Sequence, residues 1–190
     1  MLPLAARLRG CGFRPIPCSY PSVRCTPADN ARALGRLVRE QAVHGKVHLV
    51  AHSLGGLIAL LALREQPDLP VGRLVLLGSP VHGSAVARSL AGRRLWRALL
   101  GQARTLLLSG APVPSALPPT MVVAGTRSIG MGRLIHRALA RPNDGMVSAA
   151  ETALPGAGER LEVPVSHTGL LFSREVARAV CRFLREGGPG

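Results

Sequence analysis

Short apolar runs alternate with amphipathic stretches along most of this chain. Lys46–Ala51 (KVHLVA), Arg73–Leu77 (RLVLL), Met121–Gly125 (MVVAG) and Arg160–Val165 are β-rich runs bounded by Gly, Pro or turn residues, and each predicts a strand. RLVLL carries no alternation after its arginine, the pattern of a strand buried on both faces of a parallel sheet. Phe13–Cys18 predicts a further short strand. Helical spacing fills the intervals. Leu4 and Leu8 stand one turn apart and predict a helix over 2–9, stopped near Gly10 and Gly12. Thr26-Pro27 supplies an N-cap and a first-turn proline, and Leu34, Leu37 and Val38 carry that helix to about Ala42, before Gly45. Leu54–Arg64, Gly132–Ala140 and Arg174–Arg185 read as helices, the last with Val176, Val180 and Phe183 on one face.

Residues 82–118 break the alternation. LAGRRLWRALLGQARTLLL followed by the proline-rich stretch Pro112–Pro119 predicts one or two amphipathic helices inserted between strands. Strand–helix alternation elsewhere implies an α/β fold: a mostly parallel central sheet with helices on both faces. With 190 residues and no internal repeat, a single domain over 1–190 is expected.

Composition narrows the classes. At 47% apolar the chain is not disordered, and no apolar run approaches the ~18 residues of a membrane span. No basic n-region precedes the short apolar start, so no signal peptide is read. The formal charge of +14 invites a nucleic-acid reading. Lys46 is the only lysine, the arginines spread from Arg7 to Arg185 without a run, and aromatics are sparse. The reading is therefore an Arg-biased solvated surface and no nucleic-acid partner, although such charge suits peripheral contact with an anionic membrane surface. Cys11, Cys18, Cys25 and Cys181 form no C-x-x-C pair, so no metal is expected. They read as free or buried thiols of a reducing compartment, which makes the localisation cytoplasmic.

Chemistry concentrates at Ala51-His52-Ser53-Leu54-Gly55-Gly56. A strand turning sharply into a helix through a serine is the context of a nucleophile elbow. Small residues at 51 and 55 let the turn close. The turn lifts Ser53 to the positive end of the following helix, and the N–H of Leu54 faces the oxygen that becomes negative in acyl transfer. Ala51 replaces the first Gly of the usual G-x-S-x-G. The bland alternative, an N-cap serine, leaves His52, Gly55 and Gly56 unexplained. Such a serine needs a base and an orienting carboxylate, and behind an elbow the chain order is Ser, acid, His. After the strand at 121–125 the first carboxylate is Asp144, in Pro142-Asn143-Asp144-Gly145. After Asp144 the only histidine is His167. Ser53, Asp144 and His167 are thus the candidate catalytic residues. Alone, Asp144 also reads as a turn aspartate and His167 as a loop histidine. Glu151 and Glu159 are the substitute acids, and His52 reads as packing.

AHSLGG at 51–56, LGSPVHGS at 77–84, PNDGMVS at 142–148 and VSHTGLLFS at 165–173 resemble bacterial lipase-like α/β hydrolases over nearly the whole chain. The resemblance implies cleavage of a small-molecule or lipid carboxylic ester through an acyl-enzyme on Ser53, with no cofactor. It implies that 82–118 form part of a cap, with Trp96, Leu99, Leu100 and Leu106–Leu108 lining the acyl site. Two ordinary packing helices are the alternative. It also carries a departure. Members of the family usually have a central strand ending in His-Gly just before the helix matching 2–9, and the following loop supplies a second oxyanion N–H. Here no His-Gly precedes that helix, and His44-Gly45 and His82-Gly83 fall elsewhere. The expectation is a chain truncated at its N-terminus, with a gap between the strands matching 13–18 and 46–51. A non-catalytic hydrolase-like fragment is the alternative function.

Overall fold

In a computed structural model, the structure describes residues 1–19, 25–92, 101–129 and 139–185. Four strands form one parallel sheet in the order of the sequence: β1 (Val47–His52), β2 (Val71–Leu77), β3 (Thr120–Gly125) and β4 (Glu159–Val163). Each parallel step needs a crossover; helices supply those from β1 to β2 and from β2 to β3, and between β3 and β4 the described residues hold one 3-10 turn, Ala150–Thr152. Helix α1 (Leu2–Gly10) and α2 (Pro27–Ala42) precede β1, α3 (Leu54–Glu65) joins β1 to β2, and α4 (Ala85–Leu90) and α5 (Arg104–Ser109) lie between β2 and β3. A short α6 (Gly169–Phe172) and α7 (Arg174–Arg185) follow β4. The α2 start is a capping box, with Thr26 Oγ1 accepting from Asp29 N–H and the Asp29 side chain accepting from Thr26 N–H.

Strand side chains alternate between faces, and the sheet packs a core on each. Val75, Leu77, Met121, Val123 and Val163 face α1 and α7 through Leu4, Val176, Val180 and Phe183. Leu74, Leu76 and Val122 face α2 and α3 through Val38, Leu57, Ile58 and Leu60. The two-sided burial predicted for β2 holds, since Leu74–Leu77 are fully buried.

Two readings change. Phe13–Cys18 is irregular, not a strand. Pro15 and Pro17 have no N–H to give a ladder, and the Phe13 N–H donates back to Leu8 O, closing the end of α1. The Phe13 ring packs edge-on against His48 of β1. Next, Cys11 and Cys181 are joined in a disulfide that ties the end of α1 to α7, so the free-thiol reading holds only for Cys18 and Cys25. Their residues lie 170 apart, a separation no local spacing rule reaches, and the inference from thiols to a reducing compartment loses its basis. Of the helix expected over 132–140, residues 132–138 lie outside the described residues, and Leu139 and Ala140 are not helical.

Among the described residues nothing pairs with the outer edge of β1. A cleft of about 490 Å³ runs along that edge, from Met1, Leu4 and Phe13 past Val47–His52 to Gly55. No helix of the described residues is long and apolar enough to cross a membrane.

Candidate active site

Ser53 leaves the C-terminal end of β1 and starts α3. Its backbone has φ 54° and ψ −126°, and it is the only described non-glycine residue with positive φ. A serine held there is strained, and strain of this kind persists where surrounding structure fixes it. The fixing bonds are visible: Ser53 N–H donates to Leu77 O at 2.9 Å, and Gly56 N–H donates to Ser53 O at 3.0 Å. The N–H groups of Leu54 and Gly55 begin α3 and have no carbonyl four residues back within the helix. Gly56 must be glycine, because a Cβ there would lie 2.1 Å from Ser79 Oγ.

The candidate acid, Asp144, sits in a turn after β3. Asp144 is 1% exposed. Its Oδ1 accepts from Met146 N–H at 2.9 Å and Val147 N–H at 2.7 Å. Its Oδ2 lies 2.7 Å from Nδ1 of His167, just past β4. A carboxylate has only acceptors, so Nδ1–H donates and Nε2 is left as the basic nitrogen. The backbone repeats the link, with His167 N–H donating to Asp144 O at 2.9 Å. Sequence order alone selected these two residues, and the structure brings them together twenty-three positions apart.

Gly78 connects this pair to the nucleophile turn. It follows Leu77, whose carbonyl holds Ser53, and a Cβ on it would lie 3.1 Å from both Asp144 Oδ2 and His167 Nδ1. Gly125, at the end of β3, does the same for the acid, since a Cβ there would come 2.7 Å from Asp144 Cβ. Neither glycine was singled out from the sequence. A glycine closing an apolar strand was the available signal.

His52 does more than pack. Its ring lies 4.6 Å from that of His167, and its Nε2 lies 3.1 Å from the His167 carbonyl oxygen. A carbonyl only accepts, so Nε2–H donates and the Nδ1 of neutral His52 is unprotonated. Burial and the adjacent His167 push the His52 pKa down to about 4.

Other expectations fall differently. Trp96, Leu99 and Leu100 lie outside the described residues. Leu106 is buried in the core against α3 rather than lining a cleft. The N–H groups of His82 and Gly83 already donate, to Glu151 O and Pro80 O, and those of His44 and Gly45 to Gln41 O and Ala42 O. Glu151, the nearest substitute acid, bonds Ser148 and Ala85 instead of the imidazole. No cluster of His, Cys, Asp and Glu suited to a metal occurs among the described residues.

Comparison with known proteins agrees with this architecture. Among curated protein sequences none matches. The mature form of a Bacillus licheniformis lipase superposes with a TM-score of 0.68 at 24% identity, covering 84% of this chain and 74% of that one. A metagenomic carboxyl esterase gives 0.60 at 21% identity, covering 86% and 63%. A Legionella pneumophila phospholipase gives 0.71 at 17% identity, covering 96% and 54%. The chain thus spans less than two thirds of the latter two, and at these identities the likeness is one of fold. The alpha/beta hydrolase family model matches residues 3–179, and the chain belongs to that family.

Proposed function

We propose that the protein is a serine hydrolase of carboxylic esters, an esterase or lipase, with Ser53 as nucleophile, His167 as general base and Asp144 as orienting acid. The observation that supports this most is the Asp144–His167 pair, 2.7 Å apart with the carboxylate buried, against Gly78 at the strand end that anchors strained Ser53. In this reading His167 Nε2 takes the Ser53 proton as Oγ attacks the ester carbonyl. The same proton then goes to the leaving alcohol, which departs and leaves an acyl-enzyme. Water, deprotonated by His167, attacks the acyl-enzyme. The acid is released and the proton returns to Ser53. Asp144 fixes the tautomer and stabilises the imidazolium that forms in each half. Leu54 N–H donates to the developing oxyanion.

The test uses short p-nitrophenyl esters and a fluorophosphonate probe. Ser53→Ala is expected to lose about 10⁴-fold or more in kcat and all labelling, with its thermal midpoint retained. A folded Ser53→Ala that keeps most of its turnover removes Ser53 from the mechanism.

A further inference from the structure

Glu151 is 8% exposed, one of few buried acids in a chain with ten acidic residues, and the proposed reaction does not use it. Its Oε2 accepts from Ser148 N–H at 2.8 Å and Ser148 Oγ–H at 3.0 Å. Its Oε1 accepts from Ala85 N–H at the start of α4 and lies 3.6 Å from Arg88 Nη2. Arg88 also donates through Nη1 to Leu108 O. The Glu151 carbonyl accepts from His82 N–H. Glu151 thus joins the acid-bearing turn directly to the start of the β2–β3 excursion, and to Leu108 only through Arg88.

Ser148 is where this matters. It pairs with Asn143 in an isolated antiparallel bridge, so the two residues close the base of the turn that holds Asp144. Within that turn Asp144 N–H donates to Val147 O, and Val147 N–H donates to Asp144 Oδ1. Fixing Ser148 therefore fixes Val147, and Val147 aims the Asp144 carboxylate. We propose that Glu151 is a positioning residue for the acid–base pair, acting through Ser148 to hold Asp144 Oδ2 on His167 Nδ1. The inference rests on the reading of Asp144 and His167 as acid and base.

The chemistry makes glutamate specific here. Every partner of the two carboxylate oxygens can donate, and the backbone N–H groups of Ala85 and Ser148 can do nothing else. Glutamine keeps the shape but turns an NH₂ toward one of those N–H groups, donor against donor in a buried place. Glu151→Gln is thus expected to loosen one end of the bridge without creating a cavity.

Glu151→Gln and Ser148→Ala are to be compared with the unaltered protein by two readouts. The first is NMR titration of the His167 imidazole, which needs no turnover. A displaced Asp144 stabilises the imidazolium less, so the His167 titration is expected to move to lower pH in Glu151→Gln, and less far in Ser148→Ala. The second is ester hydrolysis, where kcat is expected to fall about 10- to 100-fold with KM little changed, and the acid limb of the pH profile to follow the NMR shift. A folded Glu151→Gln whose His167 titrates as in the unaltered protein overturns the inference, whatever its melting temperature. Should Glu151→Gln fail to fold, Ser148→Ala decides by the same titration. If the unaltered protein neither hydrolyses esters nor takes the fluorophosphonate, the proposed function fails while the titration still judges the Glu151 bridge.

Discussion

The two outer strands of the sheet differ. β4 carries Glu159, Arg160 and Glu162, with Arg160 and Glu162 exposed, and its charges pair: Arg160 with Glu162, Arg182 of α7 with Glu159. Charged side chains are a common way to keep an edge from recruiting another strand. β1 carries Val47, Leu49, Val50 and Ala51, with His48 among them and His52 at its end, and all six residues are half-buried beside the cleft. The site inherits this difference. Its Asp144–His167 half rests on the turn after β3 and the loop after β4, closed by short hydrogen bonds. Its Ser53 half rests on β1, whose inner edge is laddered to β2 and whose outer edge lines the cleft. One side of the site is fixed by its own polar network, the other by a backbone turn and by α3.

The largest effect should come from breaking the closed half. Asp144→Asn is expected to lose about 10³- to 10⁴-fold in kcat toward p-nitrophenyl esters, by disturbing the tautomer that leaves Nε2 basic. His167→Ala should lose as much or more. Either change combined with Ser53→Ala should add little, because the three act as a unit. Steady-state kinetics on the folded variants measures this. A silent Asp144→Asn would move the orienting role to another carboxylate.

A second test weighs the two halves by stability. Leu49 and Leu74 are register partners on β1 and β2 and pack into the same core beneath α2 and α3. Leu74 is fully buried, whereas Leu49 is partly exposed. Leu74→Ala is expected to cost about 2–5 kcal/mol, and Leu49→Ala about half of that or less, since its site already gives onto open space. Urea unfolding of both variants makes the comparison. Equal losses would mean that the β1 edge is as well packed as the middle of the sheet.

The same division explains what was legible in the sequence. β1 to β4 and α7 were readable because apolar runs and helical periodicity are local signals. Ser53 could be picked out as the candidate nucleophile because an elbow is a local motif, and Asp144 and His167 as its candidate partners because few acids and histidines follow the third strand. Phe13–Cys18 misled because its apolar residues suggest a strand, while Pro15 and Pro17 deny it a ladder. The Cys11–Cys181 disulfide was illegible, since only the packing of α1 beside α7 brings the two sulfurs together. Gly78 and Gly125 were missed because their role lies in what a Cβ would strike, which depends on residues far along the chain. His52 read as packing because its hydrogen-bond partner is a backbone carbonyl, which no side-chain pattern announces.

His52 also gives the last and smallest test, because it crosses between the halves. It is the final residue of β1, and its Nε2–H donates to the carbonyl of His167 on the other side. Burial, and then the neighbouring His167, hold its pKa at about 4 in the folded chain, against an ordinary 6.5 once unfolded. A histidine with a depressed folded pKa binds its proton more readily in the unfolded state. Its stabilising effect is therefore complete above pH 6.5, falls as pH drops from 6.5 toward 4, and is lost below that. The loss should be about 3 kcal/mol. Carboxylates such as Asp144 contribute a pH dependence of their own, so the comparison must be differential. Glutamine at this position can still donate to the His167 carbonyl but does not titrate. Urea unfolding of the unaltered protein and His52→Gln at pH 7, 6, 5 and 4 should show the difference between them shifting in favour of the variant across that window. A constant difference would mean that His52 is as free to take a proton in the folded chain as in the unfolded one, and that the β1 end of the site is open to water as well as to the cleft.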